Sequence, residues 1–121
     1  MPILEAEFGS ALPVDGYGPG VFRVAGKLIR GAIVIEAGGV SPWGGYDDRA
    51  TLAGLAGKVE LLFVGTGQEI AYLPKDFVAE LEALGIFCEA MASPSAARTY
   101  NVLLSEGRRV AAALLPLPEA P

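Results

Sequence analysis

Apolar residues in this chain come in short extended runs first and in helical stripes later. Val21-Phe22-Arg23-Val24 and Lys27-Leu28-Ile29-Arg30 flank Ala25-Gly26, a two-residue link ending in glycine, and predict a β-hairpin. Ala32-Ile33-Val34-Ile35 is a continuous, largely β-branched run, the pattern of a strand covered on both faces. Gly38-Gly39 and Ser41-Pro42-Trp43-Gly44-Gly45 interrupt it, and Asp47-Asp48 then suit the start of a short helix that reaches about Leu55 and stops at Gly57. Val59 to Val64 is a second buried strand, broken by Gly65-Thr66-Gly67, and Gln68 to Tyr72 reads as a brief extended segment.

A helical period takes over after Pro74. Phe77, Val78, Leu81 and Leu84 fall at i, i+1, i+4 and i+7 on one stripe, with Gly85 as a C-cap. Ile86 to Ala90 is a short strand. Ser93-Pro94 has the order of N-cap and first helical residue, opening a third helix that runs to about Glu106 and Gly107. Arg109 to Leu115 is a last strand, ended by Pro116 and Pro118. The expected fold is α/β with three short helices, a mixed sheet that includes the antiparallel N-terminal hairpin, and a βαβαβ second half with parallel strands. Residues 1–121 read as one domain, with a loop-rich segment over 1–20 and a tail over 116–121.

Composition narrows the chemistry. Hydrophobic residues make up 52% of the chain, yet no apolar run approaches the roughly 18 residues of a membrane span. Nine Lys and Arg stand against 14 Asp and Glu, a formal charge of -5 with only Arg108-Arg109 adjacent, so nucleic acid is not an expected partner. The opening Met1-Pro2-Ile3-Leu4-Glu5 has neither the basic region nor the apolar stretch of a signal peptide, and a cytoplasmic protein is expected. Cys88 is the one cysteine and there is no histidine, which leaves out disulfides, Cys/His metal sets, imidazole bases and Ser-His or Cys-His nucleophile pairs. No cofactor, metal or catalytic residue is predicted.

What remains is a crevice. In open α/β sheets ligands collect beyond the carboxyl ends of parallel strands, where helix N-termini present free N–H groups. Gly65, Thr66 and Gly67 would let a backbone approach a ligand there, and Ser93, Ser95 and Arg98 would hydrogen-bond an anion at the head of the third helix. The plainer alternative is a tight turn with Ser93 as a cap, since the Gly-Thr-Gly run fits neither GxGxxG nor the P-loop. Asp47-Asp48 reads as a helix cap, and Cys88 as a small hydrophobe within a strand. Trp43, the one tryptophan, is either an exposed anchor for a protein partner or a lid on the core.

Three segments resemble a known family: Tyr17-Gly18-Pro19-Gly20-Val21-Phe22-Arg23-Val24, Gly65-Thr66-Gly67 after an apolar strand, and Ala97-Arg98-Thr99-Tyr100-Asn101-Val102-Leu103 followed by Glu106-Gly107-Arg108-Arg109-Val110-Ala111-Ala112-Ala113-Leu114. The family is one of small α/β domains of unknown function that includes a mitochondrial complex I assembly factor and an adipogenesis-associated protein, and this chain looks like a bacterial member. The resemblance runs from about Tyr17 to Leu115. It implies a three-layer α/β fold, no cofactor, no known enzymatic activity, and work through protein contacts. Within the matched helix, Arg98 and Asn101 are the positions that packing explains least.

The expectation is therefore a non-catalytic interaction module with a protein partner or a second copy, tied by the resemblance to complex I assembly. The rival is a small-molecule or anion binder, conceivably an enzyme, built on Gly65, Thr66, Gly67, Ser93, Ser95, Arg98 and Asn101.

Overall fold

A computed structural model describes residues 11–119; the first ten positions of the loop-rich N-terminal segment and the last two of the tail lie outside the described residues. The chain makes β1 (Gly16–Gly18), β2 (Val21–Val24), β3 (Lys27–Arg30), β4 (Ile33–Glu36), β5 (Gly39–Pro42), α1 (Arg49–Ala53), β6 (Leu61–Gly65), α2 (Lys75–Ala83), β7 (Phe87–Met91), α3 (Ser93–Ser105) and β8 (Val110–Leu114). Two sheets form, one ordered β1-β2-β3 and one ordered β5-β4-β8-β6-β7. In the larger sheet β7 and β8 run parallel to β6 on either side of it, and β4 lies antiparallel to β8 with β5 beyond.

That order follows from two crossovers of opposite direction. The chain leaves β6 through α2 to β7, then returns through α3 across β6 to β8, so the two helices fall on opposite faces. Phe77 and Leu81 of α2 pack with Leu62, Val64, Ala111, Ala113 and Leu52 of α1. Across the sheet, Ala96, Ala97, Tyr100 and Leu104 of α3 pack with Phe63, Ala112 and Leu114, and with Phe22 and Val24 from the inner face of the small sheet. Three layers result, with the larger sheet in the middle. Its central strand β8 is buried at every position, and Ala111, Ala112 and Ala113 leave room for helices to approach both faces.

The predicted hairpin is present, with Ala25 and Gly26 at φ +52° and +77°, as a tight two-residue turn between right-twisted strands requires. It belongs to the small sheet, because Gly31 at φ +84° turns the chain away before β4. The antiparallel part of the larger sheet is supplied by β4 and β5 instead. Residues 39–42 thus form an edge strand where glycine and proline suggested only an interruption, and Pro42 is tolerated because it closes an outer strand. The segment Gln68 to Tyr72 joins no ladder. Its backbone bonds to a side chain: Thr66 Oγ1 donates to the Glu69 carbonyl (2.7 Å) and accepts from the Ala71 N–H (3.1 Å).

Asp48 caps α1 as its position suggested. Its carboxylate accepts from the Gly44 N–H (2.9 Å), the Thr51 hydroxyl (2.7 Å) and the Thr51 N–H (3.2 Å). Those bonds, the Gly44 one foremost, hold its pKa below the usual carboxylate value. A carboxyl whose folded pKa lies below its unfolded one stabilises the fold fully above about pH 4 and stops doing so as the pH falls through the folded value. Asp48→Ala should therefore lower the melting temperature at pH 7, and the gap to the parent should narrow as melts are repeated towards pH 2. A gap that stays constant with pH would show that the charge is not what caps the helix.

Candidate functional site

At the carboxyl ends of β6 and β7 the Gly65-Thr66-Gly67 turn meets the head of α3. The arrangement there is tightly closed. Ser93 is fully buried; its Oγ accepts from the Gly67 N–H (2.9 Å) and donates to the Leu115 carbonyl (2.6 Å), while its own N–H reaches the Gly67 carbonyl (2.7 Å). Thr66 N–H bonds the Met91 carbonyl at 2.8 Å, and the Leu115 N–H bonds the Gly65 carbonyl at 2.9 Å. Three chain segments are stitched together by the atoms that a ligand would need.

Gly65 earns its place here by volume. A Cβ on it would lie 2.7 Å from Ser93 Oγ and 2.8 Å from both Ser93 Cα and Leu114 Cδ2, inside contact distance. Gly67 sits at φ +101°, a backbone shape that side chains disfavour. Ser93 is not the N-cap of α3. Ala92 takes that position and Ser93 is the first helical residue, because its hydroxyl is drawn to Leu115 and Gly67 rather than to its own helix.

The remaining candidates spend their polar atoms elsewhere. Arg98 is exposed and donates to the Tyr17 hydroxyl (3.1 Å) and to Ser95 Oγ (3.4 Å), linking α3 to β1. Asn101 pairs with the main chain of Val14, accepting from its N–H and donating to its carbonyl, both at 2.8 Å. That is the two-bond pattern of a strand partner, made by one amide side chain, and it holds residues 12–14 on α3 together with Tyr100, whose hydroxyl donates to the Leu12 carbonyl at 2.7 Å. The matched positions that packing explained least thus fasten the N-terminal segment.

Of the two readings of Trp43, the structure takes the core one. The indole is 5% exposed, donates to the Asp48 carbonyl (3.1 Å) and packs against Tyr46 and Phe77 at ring separations of 5.8 and 6.3 Å. Arg49 completes this corner. It lies over the Phe77 ring at 5.5 Å and reaches Glu80 (2.6 Å) and Asp76 (3.2 Å) on α2. Neither Arg49 nor Tyr46 stood out in the sequence, since their partners are 27 to 31 residues away or belong to a different element. Burial, with the Glu82 charge adding to it, pushes the Cys88 thiol up to about 11, so it stays protonated and a poor nucleophile near neutral pH.

Among the described residues, Tyr17, Leu28 and Val102 are exposed on the small sheet and α3, and four more large apolar side chains are exposed elsewhere. Ile70, Tyr72, Leu84 and Phe87 are 67%, 103%, 42% and 66% exposed, and all four lie on β7 or on the segments flanking α2. Ile70, Ala71, Tyr72, Leu73 and Ala90 line a groove of about 430 Å³ beside that strand. All five residues from Gln68 to Tyr72 are exposed, and nothing in the sequence signals it because Ile70 and Tyr72 alternate with polar or small residues as in a half-buried strand. Among the described residues, no helix is long and apolar enough to cross a membrane.

Comparison with known proteins agrees with this architecture. An uncharacterized protein of Rhodobacter capsulatus is 60% identical over 96% of this chain and 94% of its own length. The mouse NADH dehydrogenase [ubiquinone] 1 alpha subcomplex assembly factor 3 is 30% identical over 96% of this chain, which spans 66% of that protein. Among solved structures, a protein of Bartonella henselae described as an outer membrane protein superposes with a TM-score of 0.81 at 34% identity, over 91% of this chain and 98% of that one. Residues 14–115, from the segment held by Asn101 to the end of β8 and its following residue, match a single family, and the chain belongs to it: the family described as a protein of unknown function, DUF498/DUF598.

Proposed function

We propose that this chain is a non-catalytic protein-interaction domain whose binding serves the assembly of a respiratory NADH:quinone oxidoreductase, acting in the cytoplasm. The observation that supports the reading most is the similarity to a mammalian complex I assembly factor across 96% of the chain, which takes in every strand and helix described above. Two physical facts point the same way. The polar groups at the head of α3 are engaged by their own chain, and Ile70, Tyr72, Leu84 and Phe87 are exposed on β7 or beside α2, where a protein rather than a metabolite would cover them.

Affinity capture with chemical crosslinking in the source cell tests this. The expected result is a stable protein partner drawn from the oxidoreductase or its assembly intermediates, and accumulation of incomplete complex when the gene is deleted. Normal complex in the deletion strain and no stable partner in the crosslinked sample would refute it. A metabolite that raises the melting temperature, with the shift lost in Arg98→Ala, would favour the ligand-binding alternative.

A further inference from the structure

We infer that the open edge of β7 is the binding surface, and that it takes an extended segment of another protein as a sixth strand, with a cationic residue set opposite Glu89. The inference rests on the interaction-domain reading above and narrows it to a place and a partner chemistry.

Strand β7 is the last in the order β5-β4-β8-β6-β7 and pairs on one side only. Phe87 N–H bonds the Glu60 carbonyl and the Met91 carbonyl receives the Thr66 N–H, so by the alternation of a parallel ladder Phe87, Glu89 and Met91 face β6. Cys88 and Ala90 then direct their N–H and C=O groups outward, and among the described residues no hydrogen bond engages them. Four unused backbone groups in a row are a template for a further strand.

The other edges are guarded. β5 ends in Pro42, which has no N–H to offer; β3 begins with Lys27 and ends with Arg30; and Pro19, just after β1, bridges to Leu117. β7, Phe87-Cys88-Glu89-Ala90-Met91, contains no proline, glycine or lysine. Its one charge is Glu89, exposed on the face it shares with the two-thirds exposed Phe87. Glu82, whose charge is felt at Cys88, adds to a negative field along this side.

Those features select the occupant. Two copies pairing antiparallel about their centres would set Glu89 against Glu89 in the closest type of cross-strand pair, an unfavourable contact at neutral pH. A foreign strand with lysine or arginine at that position gains from the same charge. Its alternate side chains, on the Cys88 and Ala90 face, would be apolar to fill the groove between Ile70, Tyr72 and Ala90.

The probe is a short capped peptide alternating threonine and valine around a central lysine, titrated into the full chain and followed by amide resonances. Saturable shifts and slowed exchange at the Cys88 and Ala90 amides are expected, with binding roughly fivefold tighter than for the same peptide carrying glutamate. Ala90→Pro removes an N–H that the β6 ladder does not use and should abolish binding; Glu89→Lys leaves the edge open and should reverse the charge preference. Unmoved Cys88 and Ala90 amides, equal affinity for the two peptides, or binding that survives Ala90→Pro in a folded protein would overturn the assignment. Protection of the same amides in the free protein, rising with its concentration, would overturn it in favour of a second copy. A native partner captured equally by the parent and by Ala90→Pro removes the edge but leaves the interaction domain standing. Failure to capture any native partner strikes the domain reading, while the peptide titration still decides the edge.

Discussion

Tyr100→Ala should cost about 3–5 kcal/mol of folding stability, among the largest losses any one side chain here can produce. The ring is fully buried on α3 between Phe63 and Ala112 of the larger sheet and Phe22 and Val24 of the small one, so its removal opens a cavity where all three structural units meet. It also orphans the Leu12 carbonyl, to which the hydroxyl donates. Tyr100→Phe separates the two contributions: it keeps the ring and should cost only about 1 kcal/mol, with the Leu12 amide losing protection from exchange while Asn101 still protects that of Val14. Urea denaturation measures both, and an unchanged slope shows that the loss lies in the native state. Equal destabilisation by phenylalanine and alanine would mean that the hydroxyl, not the packing, carries the contact.

Gly65→Ala comes next, at about 1–3 kcal/mol, or roughly 5–15 °C in melting temperature. Nothing about its backbone φ demands glycine; the demand is steric, since the new methyl would press on Ser93 Cα and Leu114 Cδ2 at 2.8 Å. Relief requires α3 to withdraw from β6 and β8, which would stretch the Ser93 bonds to Gly67 and Leu115. Ser93→Ala offers a check from the other side of the contact. It removes the Oγ that crowds the methyl and leaves one buried N–H and one carbonyl without that partner, so the double variant should be less destabilised than the sum of the two. Strict additivity, read from denaturation midpoints, would show that the two sites do not share this contact.

How much of this could be read in the sequence depended on how far each residue's partners lay along the chain. The runs at 21–24, 27–30 and 61–64 and the stripe of Phe77 and Leu81 declare themselves through local periodicity, and Asp48 through its distance to Thr51. Gly39 to Pro42 did not, because glycine and proline mark breaks unless the strand lies at an edge, and edge position is a tertiary property. Ser93 has the signature of a cap, yet a carbonyl 22 residues later takes its hydroxyl. Trp43 fits a core or an interface equally well until Phe77, on another element, is found beside it. The sequence set the Gly65-Thr66-Gly67 turn and the start of α3 at the same end of the sheet, while the hydrogen bonds that join them depend on Leu115 and Gly67 meeting across three segments.

The central place of β8 sets the order in which this protein is able to fold. β4 and β6, its neighbours in the sheet, are synthesised well before it and have no ladder to each other, so the β4–β5 hairpin and the β6–α2–β7 unit share no sheet hydrogen bonds until residues 110–114 arrive. Closing the loop from Ile33 to Leu114 is a step with a large entropic cost. During translation the β4 and β6 flanks that β8 will cover are bare edges, and a newborn chain stalled before Val110 would present two of them at once to its neighbours on the same message.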